Sequence, residues 1–237
     1  MSFKAFLKQM IGRALSIDFL EKLTEYSIAV RDPRISLRGA ESIVPPGQGW
    51  IEIIEDGRVT LWRKTLGQLP KADILLLEFG VWKGDSLREF LKLNVSPRSQ
   101  FYGFDSFEGL PEAWRGMTAE RFDLGGEPPA IDDPRLKFVK GWFQETLPPM
   151  LDKLAEGSRD RSVVVHFDAD LYSSTLFLLF ALGTRFNQYH FIFDEFSGHE
   201  CRALYNYIQA TGADVRFLYR LDWRGSPQVV AGELIVS

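Results

Sequence analysis

The sequence predicts an α/β fold: a mostly parallel sheet with helices on both faces, an antiparallel closing strand and an N-terminal helical extension. From residue 74 onward, apolar strand segments alternate with helical segments, which is typical of parallel strands joined by crossover helices. Carboxylates follow several of these strands, and a glycine turn follows the first of them. The candidate parallel strands are 74–79, 101–104, 136–139, 163–167 and 190–193. A helix over 200–210 and an antiparallel pair near 215–219 and 228–236 close the domain.

The totals exclude several functional classes. The 237 residues carry a formal net charge of −4, which provides no basic field for a nucleic acid, so we expect a small-molecule substrate. A single cysteine, Cys201, excludes an internal disulfide and any multi-cysteine zinc site. The longest apolar run, residues 176–182, is far shorter than the roughly 20 residues that span a bilayer. The N-terminus also lacks the long apolar core of a signal peptide, so we expect a cytoplasmic protein.

Residues 1–49 are predicted to form the helical extension, and residues 50–237 the main domain. Apolar side chains recur at helical spacing over 3–15, and a second helix is expected over about 18–30. The basic amphipathic segment suits a lid or a homo-oligomer contact better than membrane binding. Around Asp56-Gly57, alternating apolar and polar residues predict a β-hairpin at 50–62.

The stretch 75–86 is predicted to be a strand, a glycine-rich turn and the start of a helix. Glu78 ends the apolar run, Gly80 and Gly84 follow, and Leu87 begins the apolar face of the helix. Nucleotide-like ligands bind at such turns because glycine permits close approach and the first helical amides are unpaired. The spacing is not G-x-G-x-x-G, so an ordinary strand-to-helix connection is an equal alternative for this stretch alone.

Carboxylates at four strand ends predict a shared site, because parallel strands place their carboxyl ends along one edge of the sheet. Asp105, after the second strand, is placed to accept hydrogen bonds from ribose hydroxyls. Oxygen ligands of the type near the later strands suit Mg²⁺ or Mn²⁺, which can lower the pKa of a substrate hydroxyl. The strand-end acids are Glu78, Asp105, Asp168 with Asp170, and Asp194 with Glu195.

Five motifs occur in the order found in a known family. They are 78–84 (EFGVWKG), 105–111 (DSFEGLP), 141–148 (GWFQETLP), 168–175 (DADLYSST) and 193–196 (FDEF). Across about 74–205, the sequence resembles the macrocin O-methyltransferase family, whose members methylate sugar hydroxyls in macrolide biosynthesis. The resemblance implies a Rossmann-like class I methyltransferase domain that uses S-adenosylmethionine and a divalent cation.

Site residues are carried over from this resemblance by position. The turn would hold the amino-acid end of S-adenosylmethionine, Asp105 its ribose, and the later segments its adenosine part. The metal ligands would be Asp168, Asp194 and Glu195, although the family usually has an aspartate at the last position. The implied cofactor-binding residues are Glu78, Gly80, Val81, Gly84, Ser86, Asp105, Ser106, Gly141, Trp142 and Phe143.

The catalytic base departs from the family pattern. Relatives carry a histidine in the loop after the second strand, whereas residues 111–135 contain none. His166 and His190 lie inside apolar strands, so we expect them to be buried and hydrogen-bonded. His199 follows the acidic pair on the ligand side of the sheet, and it is the predicted replacement base, with Asp168 the other catalytic residue.

The sequence therefore predicts an S-adenosylmethionine-dependent, metal-assisted O-methyltransferase acting on a hydroxyl of a sugar or sugar-containing metabolite. Two alternatives remain open at this point. One is a dinucleotide-dependent oxidoreductase on a similar sheet, against which the absent G-x-G-x-x-G argues. The other is a non-catalytic S-adenosylmethionine-binding protein, which the missing loop histidine makes plausible.

Overall fold

A computed structural model describes residues 33–43, 50–113, 118–223 and 226–236 of the chain. These residues form an eight-stranded sheet in the order β1-β7-β8-β6-β5-β2-β3-β4. The strands are β1 (Glu41–Ile43), β2 (Ile74–Phe79), β3 (Gln100–Asp105), β4 (Leu136–Lys140), β5 (Ser162–Phe167), β6 (Gln188–Phe193), β7 (Asp214–Trp223) and β8 (Ser226–Ile235).

The predicted sheet is confirmed, including its closing pair. Strands β2 to β6 pair in parallel, and β8 runs antiparallel to both of its neighbours, β6 and β7. From β2 the chain moves outward through β3 to β4, and it then returns to the other side of β2 to build β5 and β6. The strand order thus reverses between β2 and β5, which is where ligands bind in open α/β sheets.

The continuous apolar run of β2 reflects burial on both faces of the sheet. Leu75, Leu77 and Phe79 belong to one hydrophobic core, whereas Ile74 and Leu76 belong to the other. Successive strand side chains point to opposite faces, so a strand covered on both sides needs apolar residues at every position. Glu78 interrupts this run, and it is also completely buried.

Helices cover both faces of the sheet, as predicted. Side chains of α1 and α2 pack into one core, and those of α5 and α6 into the other. Among the described residues, no helix combines the length and apolar character needed to cross a bilayer. The helices are α1 (Trp50–Gly67), α2 (Asp85–Leu93), α3 (Phe143–Thr146), α4 (Leu151–Gly157), α5 (Tyr172–Gly183) and α6 (Cys201–Thr211).

The β-hairpin predicted at 50–62 is wrong, because these residues lie in helix α1. The buried positions Gly57, Leu61 and Thr65 recur at a spacing of four, which is a helical period. A Cβ atom at Gly57 would lie 2.7 Å from Cδ1 of Leu221 on β7. Gly57 therefore permits close packing of α1 on the sheet, and it does not form the turn that Asp56-Gly57 suggested.

The two helices predicted over 3–15 and 18–30 lie outside the described residues. The described part of the predicted extension consists of two 3₁₀ turns, Pro33–Ile35 and Leu37–Gly39, followed by β1. Strand β1, which the sequence analysis missed, pairs in parallel with β7 at the edge of the sheet. Part of the segment 1–49 is therefore integrated in the sheet of the main domain.

Candidate functional site

A cavity of about 310 Å³ lies beyond the carboxyl ends of the central strands, at the point where the strand order reverses. Its volume is within the range usual for small-molecule sites. The lining includes Arg58 of α1 and residues from each predicted cofactor segment. The other lining residues are 80–82, 105–106, 109–111, 121–122, 141–144, 168–170, 174 and 194–195.

The carboxylate of Asp105 holds the glycine turn in place. Its Oδ2 atom accepts hydrogen bonds from the amides of Val81, at 2.7 Å, and Trp82, at 2.8 Å. Gly80 adopts a φ of +92°, and a Cβ atom there would lie 1.9 Å from the backbone oxygen of Asp168. Only glycine fits such a position, because the added carbon would collide with backbone. Asp105, which also lines the cavity, thus shapes the predicted binding turn.

Ser106 and the segment 141–143 also lie at this cavity, as the sequence predicts. The Ser106 hydroxyl donates to the backbone oxygen of Gly109 at 2.9 Å and accepts from the Glu108 amide at 3.1 Å. Gly141 has a φ of +133° and leads into α3, which begins at Phe143. The Phe143 ring packs edge-on against the Phe79 ring. Two loops from neighbouring strands therefore form a partly aromatic wall of the cavity.

Glu78 lies beneath the turn and does not line the cavity. Its carboxylate accepts a hydrogen bond from Ser86 Oγ at 2.7 Å and lies 3.1 Å from His166 Nδ1. Burial raises the pKa of Glu78, and the neighbouring histidine only partly offsets this effect. The structure gives Glu78 a supporting position, and its predicted contact with the cofactor stays a prediction.

Gly84 and Ser86 line a second cavity, of about 680 Å³, whose wall includes residues of α1 and α2. Five residues line both cavities, so the two spaces adjoin. A cofactor and an acceptor can therefore occupy neighbouring spaces with these residues between them. The shared residues are Arg58, Val81, Trp82, Asp168 and Asp194.

A cluster of acidic residues lies at the cavity, and Arg58 forms an ion pair with one of them, Asp194. Nη2 of Arg58 lies 2.5 Å from Oδ2 of Asp194, which is buried at the end of β6. Oε2 of the buried Glu200 accepts a hydrogen bond from the Glu195 amide at 2.9 Å. The four acids of the cluster are Asp168, Asp194, Glu195 and Glu200, and each of them raises the pKa of Arg58 against the opposing effect of burial.

The pKa values of the acids in this cluster are shifted in different directions. Burial and repulsion by Asp194 and Asp170 raise the pKa of Asp168 well above its ordinary value. Burial also raises the pKa of Glu200 well above the usual range. Burial acts in the same direction on Asp194, but Arg58 and His166 outweigh it and hold the pKa of Asp194 below its ordinary value. Asp194 is therefore the anion to which the nearby cations bind.

The predicted metal ligands do not form a metal site in this geometry. Arg58 already binds a carboxylate oxygen of Asp194 that an ion would need. Within the ranges that the structure describes, no group of three or more His, Cys, Asp or Glu side chains is arranged to hold an ion. Carboxylate oxygens suit Mg²⁺ or Mn²⁺, but here the guanidinium group of Arg58 forms an ion pair with the carboxylate of Asp194. The metal roles of Asp168, Asp194 and Glu195 gain no support.

The three histidines differ in position. His166 and His190 are buried in β5 and β6, as expected, with exposures of 0% and 5%. His199 lies in the π-helical turn Phe196–Glu200, outside the described residues that line either cavity. Its predicted role as the base therefore stays a prediction that the geometry does not favour.

Sequence reasoning missed several residues that line the cavity of about 310 Å³, among them Arg58, Arg121 and Phe122. Asp170 adopts a φ of +59°, which is uncommon for a residue other than glycine and is a sign of a constrained site. Arg58 follows Gly57 on α1. The spacing of four between Gly57, Leu61 and Thr65 is the signal in the sequence that could have indicated a helix here, and with it the position of Arg58.

The chain is similar to known O-methyltransferases. Residues 119–226 match the family model described as macrocin-O-methyltransferase (TylF). A relative from Streptomyces olivaceus, 8-demethyl-8-(2,3-dimethoxy-alpha-L-rhamnosyl)-tetracenomycin-C 4'-O-methyltransferase, is 30% identical over 56% of this chain and 57% of its own. The resemblance to macrocin O-methyltransferases is confirmed. The chain thus spans little more than half the length of this curated relative.

Two solved structures share the fold of this chain. The O-methyltransferase NovP has a TM-score of 0.54 and 18% identity, over 89% of this chain and 98% of NovP. The apo structure of CmcI-N160 has a TM-score of 0.52 and 17% identity, over 81% of this chain and 76% of CmcI. At such low identities the likeness establishes the fold alone, and the predicted Rossmann-like methyltransferase sheet is confirmed.

Proposed function

We propose that this protein is an S-adenosylmethionine-dependent O-methyltransferase that acts on a hydroxyl of a sugar or sugar-containing metabolite. The observation that carries the proposal is the convergence of three predicted cofactor segments, 80–82, 105–106 and 141–143, on one cavity at the reversal of strand order. The similarity to the sugar-modifying relative and to the macrocin family supports the reaction type and the acceptor class.

The charge of the cavity favours this cofactor over a dinucleotide. Among the residues that the structure describes, five acidic ones line it and two basic ones, Arg58 and Arg121. A sulfonium cation is attracted to such a lining, whereas the diphosphate of a dinucleotide is repelled by it. The acidic lining residues are Asp105, Asp168, Asp170, Asp194 and Glu195.

S-adenosylmethionine, when bound, would supply a methyl group activated on its sulfonium centre. The chain's own contribution is to position the reactants and hold charge. Asp105 fixes the turn that would face the cofactor, and the second cavity gives the acceptor a neighbouring space. Asp168 lines both cavities, whereas Asp194 is engaged with Arg58. The raised pKa of Asp168 gives its ionised form a high affinity for protons, so we propose that this carboxylate accepts the proton of the acceptor hydroxyl.

Metal assistance by Mg²⁺ or Mn²⁺, which the family resemblance implied, is not part of this proposal, because Arg58 is paired with the carboxylate of Asp194, one of the predicted ligands of the ion. Two other expectations stay predictions. They are a cytoplasmic location and self-association through the N-terminal segment.

The proposal is tested by the stabilisation that ligands produce. S-adenosylhomocysteine at 100 times its dissociation constant should add about 2.7 kcal/mol to the free energy of unfolding, and NAD should add nothing. Asp105→Asn should weaken binding of S-adenosylhomocysteine, because the amide cannot accept as many hydrogen bonds from the turn. Asp160→Asn, an exposed change in the turn between α4 and β5 that lines neither cavity, is the control and should bind normally. Stabilisation by NAD instead would support the oxidoreductase alternative.

Catalysis needs a separate measurement, since binding alone does not exclude a non-catalytic protein. Transfer of a labelled methyl group from S-adenosylmethionine should be followed with glycosylated acceptors, and Asp168→Asn should reduce the rate at least 100-fold, as expected for loss of a proton acceptor. Binding without transfer to any sugar acceptor would favour the non-catalytic alternative.

A further inference from the structure

Helix α1 places a permanent positive charge inside the acidic cluster. Arg58 lies 2.5 Å from Asp194, and its side chain is 31% exposed while that of Asp194 is 3% exposed. A guanidinium group stays protonated at any physiological pH, so the charge at this position is constant.

This charge occupies the place that a divalent ion would need. A cation bound by Asp194 and its neighbours would lie within a few ångströms of the guanidinium, and like charges at such a distance repel strongly where water is scarce. Each side-chain oxygen that pairs with Arg58 is also lost as a metal ligand. Arginine and metal are therefore competing partners of the same carboxylates.

Arg58 also has unused capacity to donate hydrogen bonds. Its Nε atom is buried and has no hydrogen-bond partner among the residues that the structure describes. A buried donor that is left unpaired destabilises a structure, because it has lost its hydrogen bonds to water. Because Arg58 lines both cavities, an oxygen of a bound small molecule is the natural partner for this donor.

We propose that Arg58 supplies the positive charge of this site in place of a divalent cation, and that its guanidinium group binds an oxygen of the acceptor. The first half concerns the ion alone. The second half rests on the proposed methyltransferase function. The chain thus replaces an exchangeable ion with a residue of its own, which makes occupancy of the site independent of metal concentration.

The first half is tested by titrating Mn²⁺ into the cofactor-free protein and following the free ion by electron paramagnetic resonance. Arg58→Gln removes the charge and should bind Mn²⁺ at least tenfold more tightly than the wild type. Arg58→Lys keeps the charge and should behave like the wild type, as should Arg63→Gln, which changes an exposed arginine on the same helix. Equal affinities in the wild type and Arg58→Gln would overturn the proposal.

A second measurement needs no variant and covers the case in which Arg58→Gln fails to fold. The thermal midpoint of the wild type should be the same in EDTA and in millimolar MgCl₂, and so should its affinity for S-adenosylhomocysteine. A rise of the midpoint with MgCl₂ would overturn the proposal. Neither experiment involves turnover, so a failed methyl-transfer assay leaves both results interpretable.

The acceptor half is tested by steady-state kinetics with a glycosylated substrate in the presence of EDTA. Arg58→Gln should raise KM for the acceptor or lower kcat at least tenfold, while Arg63→Gln, the exposed control on the same helix, should change neither. Unchanged KM and kcat in Arg58→Gln would contradict this half and leave the methyltransferase function itself intact. Activity of the wild type that EDTA abolishes and Mg²⁺ restores would overturn the first half.

Discussion

His166 and His190 lie on neighbouring strands, in similar apolar segments, and both are buried. Their pKa values are nevertheless shifted in opposite directions, so that His166 is protonated and His190 is neutral. His166 lies 3.1 Å from Glu78 and 3.7 Å from Asp194. Burial opposes its protonation, yet these two carboxylates raise its pKa to about 10. For His190 the effect of burial wins over the one acid beside it, Glu233, and its pKa is lowered.

The difference follows from the partners available to each ring. The carboxylate of Glu233 lies 3.0 Å from His190 Nε2 but also binds the guanidinium of Arg216. That arginine lowers the pKa of His190 further. His166, by contrast, faces one acid from β2 and another from the end of β6. The same residue type in the same kind of strand is thus a cation on β5, beneath the site, and neutral on the neighbouring strand β6.

The largest expected effect is on His166. Replacement by leucine leaves the buried carboxylates of Glu78 and Asp194 without their shared cation, which should cost about 3–5 kcal/mol of unfolding free energy. Urea denaturation followed by circular dichroism measures this loss. A loss below about 1 kcal/mol, the scale of an ordinary hydrogen bond, would show that His166 is not charged.

A double-mutant cycle sharpens the assignment. Glu78→Gln in the His166→Leu background removes one of the stranded carboxylates, so the double variant should be more stable than the sum of the single changes predicts. The interaction free energy should be in the range of about 0.5–3 kcal/mol that contacting residues show. Ser99→Ala is the additive control. Ser99 is buried just before β3, and its hydroxyl accepts a hydrogen bond from the amide of Ile74, at the end of β2 remote from Glu78.

His190→Gln should have the smallest effect, about 1 kcal/mol, because Glu233 keeps its arginine partner. The histidine has a lower pKa in the folded state than when unfolded, so its contribution is complete above about pH 6.5 and declines as the pH falls. The stability gap between wild type and His190→Gln should therefore narrow on acidification. Denaturation series at several pH values measure it, and a gap that widens towards acid would contradict a neutral His190.

The sheet was predictable because its signals are local. Strands such as Ile74–Phe79 are apolar at nearly every position, and the alternation with helices implies parallel pairing. Helix α1 was not predictable in the same way, because Asp56-Gly57 carries a strong turn signal of its own. Packing against Leu221, which is remote in sequence, decides the role of Gly57.

The candidate site likewise has a part that the sequence predicts and a part that depends on remote side chains. Strand-end positions brought Asp105, Ser106 and the 141–143 segment to one cavity, as the motifs predicted. Glu78 was assigned to the cofactor on the same grounds, but the neighbouring His166 and Ser86 engage its carboxylate beneath the turn. Sequence spacing indicates which end of a strand a residue occupies, and it does not indicate which way a buried carboxylate is satisfied.

By itself, the sequence determined the parallel sheet, the order of the motifs and the family resemblance, since these depend on periodicity and on residues close together along the chain. Tertiary structure alone decided that residues 50–67 form a helix packed against the sheet, that Arg58 reaches Asp194, and that His166 is charged while His190 is not. These outcomes depend on which remote side chains share a low-dielectric interior, because charge and burial there are settled by neighbours in space.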